Sequence, residues 1–89
     1  MREKAVEAHL FAQVRQRGGM CVKTMPTVAG WPDRMVILPG QPIVLVEMKQ
    51  PKGKLSPLQI EIHRRLEAIG HPVATLYTKE EVDLWLEFR

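Results

Sequence analysis

The chain has a single cysteine, Cys21, and that scarcity excludes both an internal disulfide framework and a thiolate zinc cluster. A reducing compartment is the matching expectation. The three histidines, His9, His63 and His71, have no spacing that suits a shared metal site. No apolar run approaches the roughly 20 residues of a bilayer span, and the opening Met1-Arg2-Glu3-Lys4 is charged and helix-like, unlike a secretory leader. The expectation is a soluble cytoplasmic protein with no membrane partner. Neither sign of charge dominates. Thirteen Lys+Arg stand against 10 Asp+Glu for a net charge of +3, which tilts the partner towards a polyanion, nucleic acid first, without identifying it. What is present is apolar substance, 45% of 89 residues. That supports one core and one domain over residues 1–89, with so little stability in reserve that pairing with a second copy would help.

The apolar residues fall into helix and strand periods. Over residues 3–17, Val6, Leu10 and Val14 form one helical stripe, and Gly18-Gly19 ends it. Glu3 falls in the middle of that stripe with Glu7 one turn along, so either carboxylate can point inwards. Residues 20–25 read as a short strand and residues 26–31 as a loop. Two further strands, residues 35–38 and 43–49, are joined by the turn formers Pro39-Gly40-Gln41-Pro42. Ser56 and Pro57 have the form of an N-cap and first helical residue, and Gln59 can close a capping box with Ser56. That helix runs to about Ile69, with Leu58, Ile62, Leu66 and Ile69 expected as its buried stripe and Gly70 and Pro72 ending it. A strand over residues 73–77 follows, and Thr78 with Glu81 opens a last helix by a second capping box. The order is α-β-β-β-α-β-α.

Charge is placed unusually within this scheme. Asp33 follows Pro32 just before the run Met35-Val36-Ile37-Leu38, and Glu47 and Lys49 close the run that begins at Ile43. Residues two apart on a strand share a face, so Glu47 and Lys49 project together while Met48 points the other way. A carboxylate and an ammonium on one face, joined by a carboxylate from the neighbouring strand, can hold Mg²⁺ or Mn²⁺ and orient a water beside it. The cations Lys23, Arg34, Lys52 and Lys54 flank these positions and could grip a phosphate backbone, although Lys52-Gly53-Lys54 reads equally as a plain connector. His63, one turn after Gln59, could with Arg64 reach a phosphate. Trp31 is an anchor for core or interface, or a platform for an unpaired base.

Gly18-Gly19, Lys23, Gly30-Trp31-Pro32-Asp33-Arg34, Glu47-Met48-Lys49 and Leu55-Ser56-Pro57-Leu58-Gln59, in this order of elements, resemble the VRR-NUC domain of the PD-(D/E)XK nuclease superfamily, over nearly the whole chain. The stand-alone members of phages and bacteria are the nearest in form. The resemblance implies a restriction-endonuclease-like α/β core, a mixed β-sheet flanked by helices. It implies Asp33 and Glu47 as metal-binding carboxylates for Mg²⁺ or Mn²⁺, with the Met48 carbonyl completing the protein's share. Lys49 would act on the attacking water and the phosphate. Glu3, or in its place Glu7, would be the acid from the first helix, and Gln59 the glutamine opening the helix after the lysine strand. Trp31 departs from the smaller residues common before Pro-Asp and bears on the shape of the substrate pocket.

The implied activity is metal-dependent endonuclease cleavage of DNA, chosen by structure, in a bacterial or phage-infected cytoplasm. No recognition helix is left over for base readout. Stand-alone relatives of this kind act as homodimers on branched DNA such as Holliday junctions, and twofold symmetry suits paired nicks. The rival readings are a non-catalytic nucleic-acid-binding module, which need not keep Asp33, Glu47 and Lys49 together, and an accessory protein, which needs neither the acids nor the basic loop.

Overall fold

The computed structural model describes residues 3–89, with the side chain of Glu3 left outside the description. Its elements follow the order expected: α1 (Glu3–Gln16), β1 (Met20–Lys23), β2 (Arg34–Ile37), β3 (Val44–Met48), α2 (Pro57–Ala68), β4 (Ala74–Leu76) and α3 (Lys79–Glu87). The strands form one mixed sheet in the order β1-β2-β3-β4. The first three are antiparallel neighbours and β4 lies parallel to β3. A parallel neighbour requires a crossover, and α2 supplies it. Just past β1, Thr24 holds the neighbouring segment: its hydroxyl donates to the Pro32 carbonyl at 2.6 Å and its N–H to the Asp33 carbonyl at 3.0 Å.

The core lies on one face of the sheet. Val6, Leu10 and Val14 of α1 are fully buried with Val36, Leu38, Val46, Met48 and Leu76 of the sheet region and Val82 and Leu86 of α3. The period of two along β3 sends Val46 and Met48 into this core and Glu47 to the opposite face. On that opposite face lies α2, whose His63 meets Glu47 and whose Leu66 is buried outside the main cluster. Among the described residues no helix is long and apolar enough to cross a membrane.

The expected burial of the α2 stripe is corrected. Leu66 is buried and Ile62 half-buried, but Leu58 is 58% and Ile69 71% exposed. Leu58 and Ile69 lie at the two ends of the helix, whereas His63, which meets Glu47, and the buried Leu66 lie between them. Helical period marks a face and does not say what covers it.

Candidate active site

Two local devices set the Pro32-Asp33 segment. Pro32 is fully buried, and the Thr24 contacts continue the β1–β2 ladder past Arg34. The β2–β3 register pairs Arg34 with Val46 and Met35 with Leu45; carried one residue on, it sets Asp33 opposite Glu47 on the face away from the core. Asp33 Oδ1 accepts the Met48 N–H at 3.1 Å. Glu47 is only 2% exposed, and Lys49, whose N–H donates to the Leu76 carbonyl at 3.1 Å, stands two residues on, just past the end of β3. Asp33, Glu47 and Lys49 are thus brought together at one end of the β2–β3 pair.

From α2 comes His63, whose Nε2 lies 3.3 Å from Glu47 Oε1, both side chains being largely buried. Burial lowers the His63 pKa below the ordinary imidazole value; the charge of Asp33 opposes this and that of Lys49 adds to it. Residue spacing placed His63 one turn after Gln59 on the same helix, but gave no sign of Glu47 as its partner. Gln59 closes the capping box: its N–H bonds Ser56 Oγ at 3.2 Å and its Oε1 accepts the Ser56 N–H at 2.8 Å. Thr78 likewise caps α3 through the Glu81 N–H at 3.1 Å, while Glu81 turns its own side chain to the Tyr77 N–H at 2.8 Å, one residue before the box expected.

The loop before Asp33 docks on this helix start. Gly30 has φ +86°, and a Cβ there would lie 2.5 Å from the Leu58 carbonyl oxygen. Only glycine permits both the conformation and the approach.

The cations divide. Arg34, expected at a phosphate, is buried on the core face, where its guanidinium pairs with Glu7 through Nη2 and donates through Nη1 to the Asp33 carbonyl at 2.9 Å; the same Nη1 lies 3.5 Å from Asp33 Oδ2. It braces α1 to the site and does not face solvent. Lys23 is exposed and pairs with Glu7 at 3.5 Å, so Glu7, the alternative acid of the first helix, is engaged by two cations. The Glu3 side chain lies outside the described residues. His63, also expected at a phosphate, is turned onto Glu47. Arg64 is exposed and pairs with Glu61 at 2.8 Å, which raises its pKa and lowers that of Glu61. Lys52 and Lys54 are exposed on the turn after β3, where Lys52 takes φ 72° and the Gly53 N–H bonds the Gln50 carbonyl at 2.7 Å. Trp31 is half-buried. Burial, with the charge of Asp33, pushes the Cys21 thiol up to about 12, so it is no nucleophile near neutral pH.

Among the described residues no three His, Cys, Asp or Glu side chains gather as a self-sufficient metal cage. The donors that do converge, two carboxylates beside the Met48 peptide, are hard oxygens. Such donors suit Mg²⁺ or Mn²⁺, which bind few protein groups and keep several waters. With Asp33 held on the Met48 N–H and Glu47 by His63 at the same end of β3, these oxygen donors fit a divalent cation.

No family model matches the chain. It is 42% identical over 81 residues to "Putative nuclease p44" of Acyrthosiphon pisum secondary endosymbiont phage 1, a match covering 90% of this chain and 87% of that one. A solved structure described as "VRR_NUC domain" superposes with a TM-score of 0.87 at 30% identity, covering 96% of this chain and 94% of that one.

Proposed function

The chain belongs to the VRR-NUC family, and from that premise we propose that it is a DNA endonuclease that uses Mg²⁺ or Mn²⁺ and selects branched DNA, such as a Holliday junction, as a homodimer. The observation that carries this reading is the Asp33 carboxylate on the Met48 N–H, with buried Glu47 on one side of that residue and Lys49 on the other. Asp33, Glu47 and the Met48 carbonyl would hold the cation. Bound there, it supplies a water ionised near neutral pH and charge relief on the phosphate. Lys49 would orient the attacking water and stabilise negative charge developing on the phosphoryl oxygens. Glu3 is the proposed acid of the first helix, and Gln59 supports the site while capping α2.

The exposed Lys52 and Lys54 beside Lys49 offer the phosphate backbone a sequence-independent grip, with Lys23 a further cation on the α1 side, where it also pairs with Glu7. A homodimer is supported by apolar side chains left at the surface, Leu58 and Ile60 on α2 with Ile69 at its C-cap, and Leu84 and Phe88 near α3, and by an open groove of about 770 Å³ running past Ile43, Leu66 and Trp85.

The test compares labelled four-way junction and linear duplex DNA, with Mg²⁺ or Mn²⁺ and with EDTA, for the wild type and Lys49→Ala. Paired nicks in the junction, made by the wild type alone and abolished by EDTA, are the expected result. Salt-sensitive binding without cleavage would replace the reading with a nucleic-acid-binding module.

A further inference from the structure

We infer that His63 is a positioning residue for Glu47: its Nε2–H donates to Glu47 Oε1 and fixes the rotation of the carboxylate that faces the cation. The inference rests on the assignment of Glu47 as a metal-binding carboxylate.

The geometry has three parts. Nε2 and Oε1 are 3.3 Å apart, at the long end of a hydrogen bond, with the side chains 13% and 3% exposed. An ionised carboxylate only accepts, so a ring that bonds it must carry its proton on Nε2. At this depth water competes poorly for either partner, and the bond gains from the low local dielectric.

His63 is also held firmly. Leu66, three residues on, anchors the same helix in the interior, and the helix start is pinned by the Ser56–Gln59 box and by the Gly30 loop. The imidazole therefore reaches Glu47 from a second element, across the crossover from the strand that carries it. A histidine meant for a phosphate would present its donor to solvent, as Arg64 does at 66% exposure. Outer partners of metal-binding carboxylates orient their ligands, and their loss weakens metal affinity or activity by about 10–100-fold.

The experiment titrates folded protein with Mn²⁺ alone by calorimetry, for the wild type, His63→Leu and His63→Gln, and measures junction binding in EDTA for the same proteins. His63→Leu should bind Mn²⁺ about 10–100-fold more weakly, His63→Gln should stay within a few-fold of wild type because its amide reaches the Nε2 position, and junction binding in EDTA should not change. Equal Mn²⁺ affinity for wild type and His63→Leu overturns the inference, as does a glutamine variant as weak as the leucine one. Loss of junction binding in EDTA with Mn²⁺ affinity intact would make His63 a phosphate ligand. If His63→Leu does not fold, His63→Asn takes its place: its amide stops near the Nδ1 position, and it must lose affinity where Gln keeps it. A wild type that binds no Mn²⁺ overturns the metal assignment of Glu47 together with this inference, which separates that failure from the others.

Discussion

The two faces of the sheet differ in almost every respect. On one, Val36, Leu38, Val46 and Met48 meet α1 and α3 in a dry, close-packed layer. On the other, Asp33, Glu47, Lys49 and His63 gather beneath an α2 whose apolar ends stand in solvent. β3 serves both, alternating one residue to each, so the packed core and the candidate site are separated by a single peptide unit. A domain this small cannot spare a second core. It concentrates packing energy on one side, and the polar cluster on the other tolerates burial because its members satisfy one another.

The sharpest way to break this comparison is to substitute the neighbours Glu47 and Met48 separately. Glu47→Gln should reduce metal-dependent cleavage by at least about 100-fold, the scale of losing one transition-state electrostatic contact, while thermal melting stays at or above that of wild type. A large fall in melting temperature would show that the polar face carries stability too. Met48→Ala should remove about 2–5 kcal/mol of stability through the cavity it leaves, seen as a fall in Tm of about 4–8 °C per kcal/mol in a domain of this size.

Two smaller changes test how α2 is fastened. Gly30→Ala forces a Cβ against the Leu58 carbonyl at a left-handed φ and should cost about 1–3 kcal/mol. Because the strain falls on the helix that brings His63, Mn²⁺ affinity should weaken with it; a stability loss alone would mean that the loop and the helix are not coupled. Ser56→Ala removes the cap hydroxyl and should cost about 1 kcal/mol, with cleavage of the junction little altered, read by denaturant unfolding beside the nicking assay.

The core face and the order of elements were legible because they follow from local rules. Val6, Leu10 and Val14 keep a helical period, Glu47 and Met48 a strand period, and Ser56-Pro57 with Gln59 announces a helix start. That Glu47 and Lys49 share a face was legible for the same reason, through strand period, with Asp33 expected beside them from the neighbouring strand. What sequence could not supply depended on partners from distant elements. Arg34 reads as a surface cation beside Asp33 until Glu7, 27 residues away, is seen to claim its guanidinium. His63 turned from phosphate to Glu47 only when the crossover laid α2 against β3. Leu58 and Ile69 share a helical face, and a face carries no record of what it meets.

The contact at Gly30 has a consequence for how such chains can be recombined. Its loop precedes the β2–β3 pair and the helix start it touches follows that pair, so the two halves of the fit lie on opposite sides of the Gln50–Lys54 turn. A chimera joined in that turn, a surface position where chains usually tolerate splicing, would set one parent's loop backbone against the other's helix. Since both contacting surfaces are backbone, no side-chain repacking can absorb a mismatch. The loop and the helix start must be inherited from the same parent, or diverge together.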